Sequence, residues 1–554
     1  MSHSYDTDVL IVGAGPAGLS LATELTMRGV SVIVIEQNER VGVQPRAKTT
    51  NVRTMEHMRR WGLSAHVRSL SPIPAEVPRR VRFATSLFGG DIWLFENSFC
   101  AARQRDDRFS ENAEWIPQYT IEKVLLDHVV SHPKATVKLR HKFIDFAQDD
   151  DGVTTRVSDL ATDNTLTIRA RYLVGADGGR SPVRTQLGIA MQGQSGIASF
   201  VTLILKVPGL GADPTLQPAL MHWLVDPASP CIMGPMDRDD TWFYNPSPKP
   251  TGPGDDAQIH DEIRHMLGGR YDFTVLAKDL WTAHKLLADR YSDGRVYLAG
   301  DACHLHSPFG GHGMNFGIGD SVDLGWKLAA TLQGWGGPCL LDSYEVERRP
   351  VHQRVLDSAT ENLATLSGNF SAPELLEDSE RGEEARRVAG KAVEKAKTPE
   401  FRSLGLVLGY SYAGSPIVAR EDKAPPQPNV VELRPSGYPG ERAPHAWLAD
   451  ERSIYDTFGL GFTLLVTGDA DANAVAAAKI EAARQNAPLD VAIPNEPRFN
   501  ALYGARYVLI RPDQHIAWRG DTLDDFAAVL TMARGANRND QEQVSTETGR
   551  RQNA

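Results

Sequence analysis

The chain has 554 residues, 41% of them hydrophobic and 23% charged, with a formal net charge of −11. That length suits about three domains of ~150 residues, each able to bury its own core. The acidic balance points away from nucleic acid and anionic membrane as partners, and no uncharged apolar run approaches the ~20 residues that span a bilayer. The four cysteines, Cys100, Cys231, Cys303 and Cys339, have neither CxxC nor zinc-site spacing. They read as reduced thiols of a cytoplasmic protein with no metal site. Met1 to Thr7 is polar and carries no secretory signal.

Asp8-Val9-Leu10-Ile11-Val12 predicts a buried parallel strand. Gly13-Ala14-Gly15-Pro16-Ala17-Gly18 follows, then a helix over Leu19 to Arg28 capped by Gly29, then a second strand, Ser31 to Ile35, ending on Glu36-Gln37. Each part has a physical reason. Gly13 permits a tight turn, Gly15 admits a pyrophosphate to the backbone, and Gly18 lets helix and strand pack closely. The helix N-terminus favours phosphate, and Glu36 can accept hydrogen bonds from a ribose. The order strand, loop, helix, strand, acid predicts dinucleotide binding without saying which dinucleotide.

Two later segments bear on which dinucleotide it is. Ala170 to Gly175 is a strand leading into Ala176-Asp177-Gly178-Gly179, with Ser181 and Pro182 opening a helix. Gly294 to Ala299 is a strand ending on Gly300-Asp301-Ala302. Beyond it come Ser307-Pro308-Phe309-Gly310-Gly311-His312-Gly313-Met314-Asn315 and Tyr344-Glu345-Val346-Glu347-Arg348-Arg349-Pro350, while Pro45-Arg46-Ala47 and Arg53-Thr54 lie upstream. With these motifs in this order, residues 8 to about 355 resemble the class A flavoprotein aromatic hydroxylases, the p-hydroxybenzoate hydroxylase and phenol hydroxylase family.

The resemblance implies an α/β protein: a Rossmann-like FAD-binding domain interleaved with an antiparallel substrate-binding sheet, plus a thioredoxin-like C-terminal domain. It implies that Gly13, Gly15, Pro16, Ala17, Gly18, Glu36, Gln37, Arg46, Ala47, Gln118, Asp177, Gly178, Gly300, Asp301, Pro308, Gly311, Gly313, Met314 and Asn315 hold FAD. Asp301 would meet the ribityl chain, and Asp177-Gly178 would act through backbone geometry. Gly311 to Asn315 would open a helix towards the flavin N1 edge, where a helix N-terminus favours the anion of a reduced ring.

The chain departs from the pattern at Cys303, in an alanine place and read as a small buried hydrophobe. It departs again at His312, in a glutamine place, where a histidine could titrate near neutrality and act in catalysis. Lys48 stands where relatives often carry an acid, so no base carries over from there. The backbone carbonyl of Pro308 would aid loss of the substrate's proton.

Residues 190–290 predict strands at Ser199–Val207, Leu220–Val225, Thr241–Tyr244 and Phe273–Leu276. His222, Trp223, Trp242 and Tyr244 are candidate substrate contacts. Alternation puts His222 and Leu224 on one side and Met221 and Trp223 on the other, with the side facing the flavin left open. A helix is expected over Glu374–Lys397. The proline run Lys423 to Pro428 marks a linker, and 431–535 looks like the thioredoxin-like domain of phenol hydroxylase relatives. That domain has no cysteine, so it cannot exchange disulfides. The expected division is 1–189 and 291–400 for FAD, 190–290 for substrate, 401–430 linker, 431–535 C-terminal domain, and a disordered tail from 536.

The implied activity is hydroxylation of a phenolic or related aromatic by NADPH or NADH and O₂ through a flavin C4a-hydroperoxide, in a homodimer. Baeyer–Villiger insertion or oxidation of a polycyclic antibiotic are alternatives on the same fold. Trp115-Ile116-Pro117 lacks the preceding tryptophan of the flavin halogenase motif, and a non-catalytic flavoprotein is the remote rival.

Overall fold

The computed structural model describes residues 4–39, 47–237, 240–248 and 255–536; Arg46 and the tail beyond 536 lie outside them. Three sheets organise the chain. In the first, Thr7–Val12 lies between two parallel neighbours, Asn164–Gly175 and Val32–Glu36, and the order extends to Val296–Leu298 on one side and Ala135–Leu139 on the other. A strand covered on both faces must be apolar throughout, and Val9, Leu10, Ile11, Val32, Val34 and Leu173 are all buried. Helix Pro16–Met27 starts directly from the first strand, with Gly15 as N-cap and Pro16 at its first position. Gly29 ends it at φ 78°, donating its N–H to the Thr26 carbonyl.

Helix Gly313–Leu332 packs against helix Pro16–Met27 and brings its N-terminus to the carboxyl ends of the parallel strands. Small residues permit the approach: a Cβ on Gly317 would lie 3.1 Å from the Gly300 Cα, and one on Gly325 would lie 2.6 Å from the Glu24 Cγ. Glu24, fully buried, accepts from Arg28, Arg60 and the Trp61 indole. Burial opposes its charge, but the two guanidiniums win and hold its carboxyl at about 2.

The second sheet runs His304–Leu305, Thr274–Ala288, Met191–Lys206, Thr241–Pro246, Cys231–Pro235, Met221–Leu224, Val81–Ala84 and Asp91–Phe95. It is antiparallel except where Met221–Leu224 meets Val81–Ala84. Strands Met191–Lys206 and Thr274–Ala288 are far longer than the alternation around Ser199–Val207 and Phe273–Leu276 suggests; a bulge between Gln194 and Ala198 interrupts their polar halves. Helix Asp256–Met266 covers one face through Ile259, Ile263 and Met266. Helix Glu380–Phe401, six residues later than the expected start, packs beside the other.

The third sheet, Leu489–Ala492, Phe462–Val466, Tyr507–Ile510 and Ile516–Gly520, has one parallel and two antiparallel pairings, which is the thioredoxin-like order. It docks on helix Gly313–Leu332 where Trp326 and Trp335 meet Phe462. A buried ionic cluster seals the junction: Arg511 pairs with Glu347 at 2.6 Å and with Asp323 at 3.1 Å, and Lys327 pairs with both acids. Within 401–430 the proline run is exposed, whereas helix Leu404–Leu408, Tyr410, Tyr412 and Ile417 are buried in the body of the protein. No helix among the described residues is long and apolar enough to cross a membrane.

Candidate active site

A cavity of about 630 Å³ opens at the carboxyl ends of the parallel strands and runs to the second sheet. At its first end lie Gly15, Pro16 and Ala17, with Ala176, Gly178 and Gly300-Asp301 opposite. The glycines divide by role. A Cβ on Gly13, at φ 105°, would stand 2.3 Å from the Ala176 carbonyl oxygen, and one on Gly18 would stand 2.0 Å from that of Gly13. These two serve packing. A Cβ on Gly15 or Gly178 would meet nothing within 4 Å, so both face open space. Glu36 fastens the loop, accepting the Ala14 N–H at 3.0 Å and the Asn38 N–H at 2.9 Å, and remains partly exposed beside exposed Gln37.

Asp177 turns away from the cavity. Its carboxylate accepts the Val183 N–H at 3.1 Å and so caps helix Pro182–Gln186 with Ser181. Burial raises its pKa. Its neighbours Ala176 and Gly178 line the space instead.

Asp320 braces the Gly300-Asp301 turn. Its Oδ2 accepts the Gly300 N–H at 3.1 Å and contacts His304 at 3.0 Å; its Oδ1 accepts from Arg348 at 2.8 Å and contacts His352 at 2.6 Å. Nothing in the motif marked Asp320 as a brace, since its partners come from 16 and more positions away.

The helix N-terminus, Gly311 to Met314, forms the cavity's middle. Asn315 is buried behind it, donating to the carbonyls of Thr49 and Gly311 and accepting the Asn51 N–H at 2.9 Å. It therefore ties the loop at 47–51 to the helix rather than lining the space. Gln118, also a lining residue, accepts the Ala47 N–H at 3.3 Å and donates to Glu122 at 2.8 Å. The Pro308 carbonyl accepts the Gly311 N–H at 3.0 Å, which leaves one lone pair. His312 is 1% exposed, and burial pushes its pKa down to about 4. It stays neutral at pH 7, contrary to the expectation that it titrates near neutrality, because desolvation removes the cation's hydration.

The far end is aromatic. Trp223, Phe243, Trp281 and Phe309 line it, with Met221 and Ile232. Of the four substrate candidates only Trp223 is there. His222, Trp242 and Tyr244 lie on the opposite face, buried with Ile259 and Ile263 under helix Asp256–Met266. Neither His222 ring nitrogen has a hydrogen-bond partner among the described residues, and burial pushes its pKa to about 3. Sequence reasoning missed Trp281 and Phe309 as lining residues. Trp281 donates its indole N–H to Thr202 at 3.0 Å and stacks on Phe200 at 4.3 Å. It also missed Lys48, whose Nζ sits 4.3 Å from the Phe243 ring centroid.

The first end fits a dinucleotide: open glycines at 15 and 178, the N-terminus of helix Pro16–Met27 beside Gly15, and a partly exposed acid at the second strand's end. The second end fits a flat aromatic body between apolar walls.

A family model for an FAD binding domain matches residues 6–359, and one for the C-terminal domain of aromatic-ring hydroxylases matches 436–536. A putative polyketide hydroxylase of Streptomyces halstedii is 31% identical over 542 residues, covering 92% of this chain and 93% of its own. Phenol 2-monooxygenase of Pseudomonas sp. (strain EST1001) is 30% identical over 569 residues, covering 94% and 91%. The solved structure of RebC soaked with chromopyrrolic acid, holding 7-carboxy-K252c, superposes with a TM-score of 0.88 at 34% identity, covering 97% of this chain and all of that one.

Proposed function

The chain belongs to the FAD-dependent aromatic-ring hydroxylases, and from that premise we propose that it hydroxylates a phenolic or polycyclic aromatic substrate with NAD(P)H as reductant and O₂ as oxygen donor. The observation that carries this reading is the continuity of one cavity from the glycine-rich loop at Gly15 to the aromatic wall at Trp223 and Phe243. A redox cofactor at one end can then reach an aromatic ring at the other.

Gly15, Pro16, Ala17, Glu36, Gly178, Gly300 and Asp301 would hold FAD, which when bound and reduced supplies the electrons that activate O₂. The N-terminus of helix Gly313–Leu332 would carry the negative charge of the reduced ring on its free N–H groups. Trp223, Trp281 and Phe309 would hold the substrate ring and keep water out. The free lone pair of the Pro308 carbonyl would draw on a substrate hydroxyl. Asp177 and Asn315 would act indirectly, by fixing the turns that carry Gly178 and Gly311.

The test loads the protein with FAD and follows NADPH, NADH and O₂ consumption across phenols and hydroxylated polycyclic aromatics, with peroxide and product assayed together. The expected result is a compound that speeds NAD(P)H oxidation and gains one oxygen without matching peroxide. Peroxide alone from every compound would refute the assignment.

A further inference from the structure

Lys48 is the one lysine or arginine among the described residues lining the cavity. Its side chain is half-buried. Among the described residues no carboxylate lies within 4.0 Å of its ammonium, which sits over the face of Phe243, 4.3 Å from the ring centroid. Phe243 belongs to the aromatic end of the cavity, so the cation sits where a substrate ring would lie.

The acids along the cavity do not answer it. Glu400 pairs with Lys397 at 2.7 Å, Glu122 faces Gln118 at 2.8 Å, and Asp279 and Asp301 form no ion pair with it. His306 and His312, the other basic side chains in the lining, are neutral, with pKa values lowered by burial to about 3 and about 4. Burial pushes the Lys48 ammonium down to about 8, with no charge among the described residues contributing, so most of it stays protonated at pH 7. A half-buried cation that has an aromatic face and no carboxylate beside it among the described residues lacks the anion that normally accompanies it.

We propose that Lys48 receives an anionic oxygen of the aromatic substrate, a ring carboxylate or an ionised ring hydroxyl, and so selects acidic aromatics over neutral ones. The proposal rests on the monooxygenase reading and narrows its substrate class. For a hydroxyl the consequence is also chemical. The O–H proton leaves to solvent, Lys48 keeps its own three protons, and the oxyanion left beside the ammonium raises electron density in the ring. An opposite charge within about 4–6 Å lowers such a pKa by about 1–3 units. One residue then both recognises and activates.

The experiment uses the FAD-loaded full chain as wild type, Lys48→Met and Lys48→Arg, after FAD affinity and melting temperature are measured for each. Three probes are titrated by perturbation of the flavin spectrum: 4-nitrobenzoate, 4-nitrophenol, and neutral nitrobenzene. The yellow ionised form of nitrophenol also reports the bound phenol's pKa. In wild type an anionic probe should bind about tenfold or more tighter than nitrobenzene, the size of one charge-assisted hydrogen bond. Lys48→Met should lose that preference with nitrobenzene and FAD affinity unchanged, and Lys48→Arg should keep part of it. Loss for nitrobenzoate identifies a carboxylate, and loss of the lowered nitrophenol pKa identifies a hydroxyl. Lys48→Met should melt no lower than wild type, because an unpaired ammonium gives way to an apolar chain.

Equal binding of both anions by wild type and Lys48→Met overturns the proposal, as does a defect confined to FAD affinity. Wild-type protein that binds and oxygenates neutral aromatics as well as acidic ones overturns this inference alone. A wild type that binds no aromatic and consumes no NAD(P)H overturns it together with the reading beneath it.

Discussion

Asp320→Asn keeps the shape of a buried side chain and removes its charge. Each Asp320 oxygen serves two neighbours, Arg348 and His352 on Oδ1, Gly300 and His304 on Oδ2. Whichever way the asparagine amide turns, its NH₂ replaces an acceptor used by two of them, and the buried Arg348 guanidinium loses its counter-charge. Removing one partner of a buried ion pair costs about 3–5 kcal/mol. That corresponds to roughly two to four powers of ten in the unfolding constant.

The loss should also appear at the cofactor end. The Gly300-Asp301 turn is tied to helix Gly313–Leu332 through the Gly300 N–H bond, so FAD affinity should fall about tenfold, one hydrogen bond's worth in a site that depends on position. Urea unfolding followed by tryptophan fluorescence, with and without FAD, and a flavin-fluorescence titration measure both effects. The pH dependence has a definite sign. Burial opposes the Asp320 charge, but His352 and Arg348 hold its carboxyl well below the usual range. A depressed carboxylate contributes stability above its unfolded pKa of about 3.9, lost as pH falls through the lower folded value. The gap between wild type and variant should therefore be full at neutrality and shrink in acid. A variant within about 1 kcal/mol of wild type, with unchanged FAD affinity, would refute the view of Asp320 as the brace of this turn.

The glycines should separate cleanly. Gly15→Val should leave apoprotein stability near wild type while FAD binding falls at least about tenfold, whereas Gly13→Val should cripple folding itself, because its Cβ would collide with the Ala176 carbonyl. Equal melting temperatures for the two apoproteins would contradict that division. His222→Leu should add about 1 kcal/mol at pH 7 by removing two unpartnered ring nitrogens. Its folded pKa, about 3 against 6.5 unfolded, means the unfolded chain binds the extra proton between those values, so wild type loses stability as pH falls from 6.5 to 3. The variant's acid limb should be flatter, and superimposable limbs would count against a neutral buried His222. Arg511→Met leaves Lys327 as the ion-pair partner of Glu347 and Asp323 and His515 as the neighbour of Asp513, and should cost about 3–5 kcal/mol. Limited proteolysis should then cut near the exposed run at 423–428 sooner than in wild type, and an unaltered cleavage rate would show that the ionic cluster does not hold the domains together.

The dinucleotide end was legible because its demands are local. A turn at φ 105° excludes side chains at residue 13, and a helix beginning on the next residue but two needs no distant partner to be recognised. The aromatic end was less so. Alternation along Met221–Leu224 separates two faces but carries no sign, and the sign was set by helix Asp256–Met266, some thirty residues on, which took the His222 face. Trp281 and Phe309 were invisible as a pair, since they meet across the cavity from different strands and loops. Asp177 was expected to act through backbone geometry, and its side chain is occupied by an N–H of the helix it precedes.

What the amino-acid order determined by itself was the set of short-range geometries: the tight turns, the helix starts, and with them the kind of cofactor the chain can hold. What only the tertiary structure decided was which side chains share the enclosed space and what charge they keep there. His312 and Lys48 both have pKa values lowered for the same physical reason, burial. The cost of a charge depends on what surrounds it in three dimensions, which the order of residues along the chain does not state.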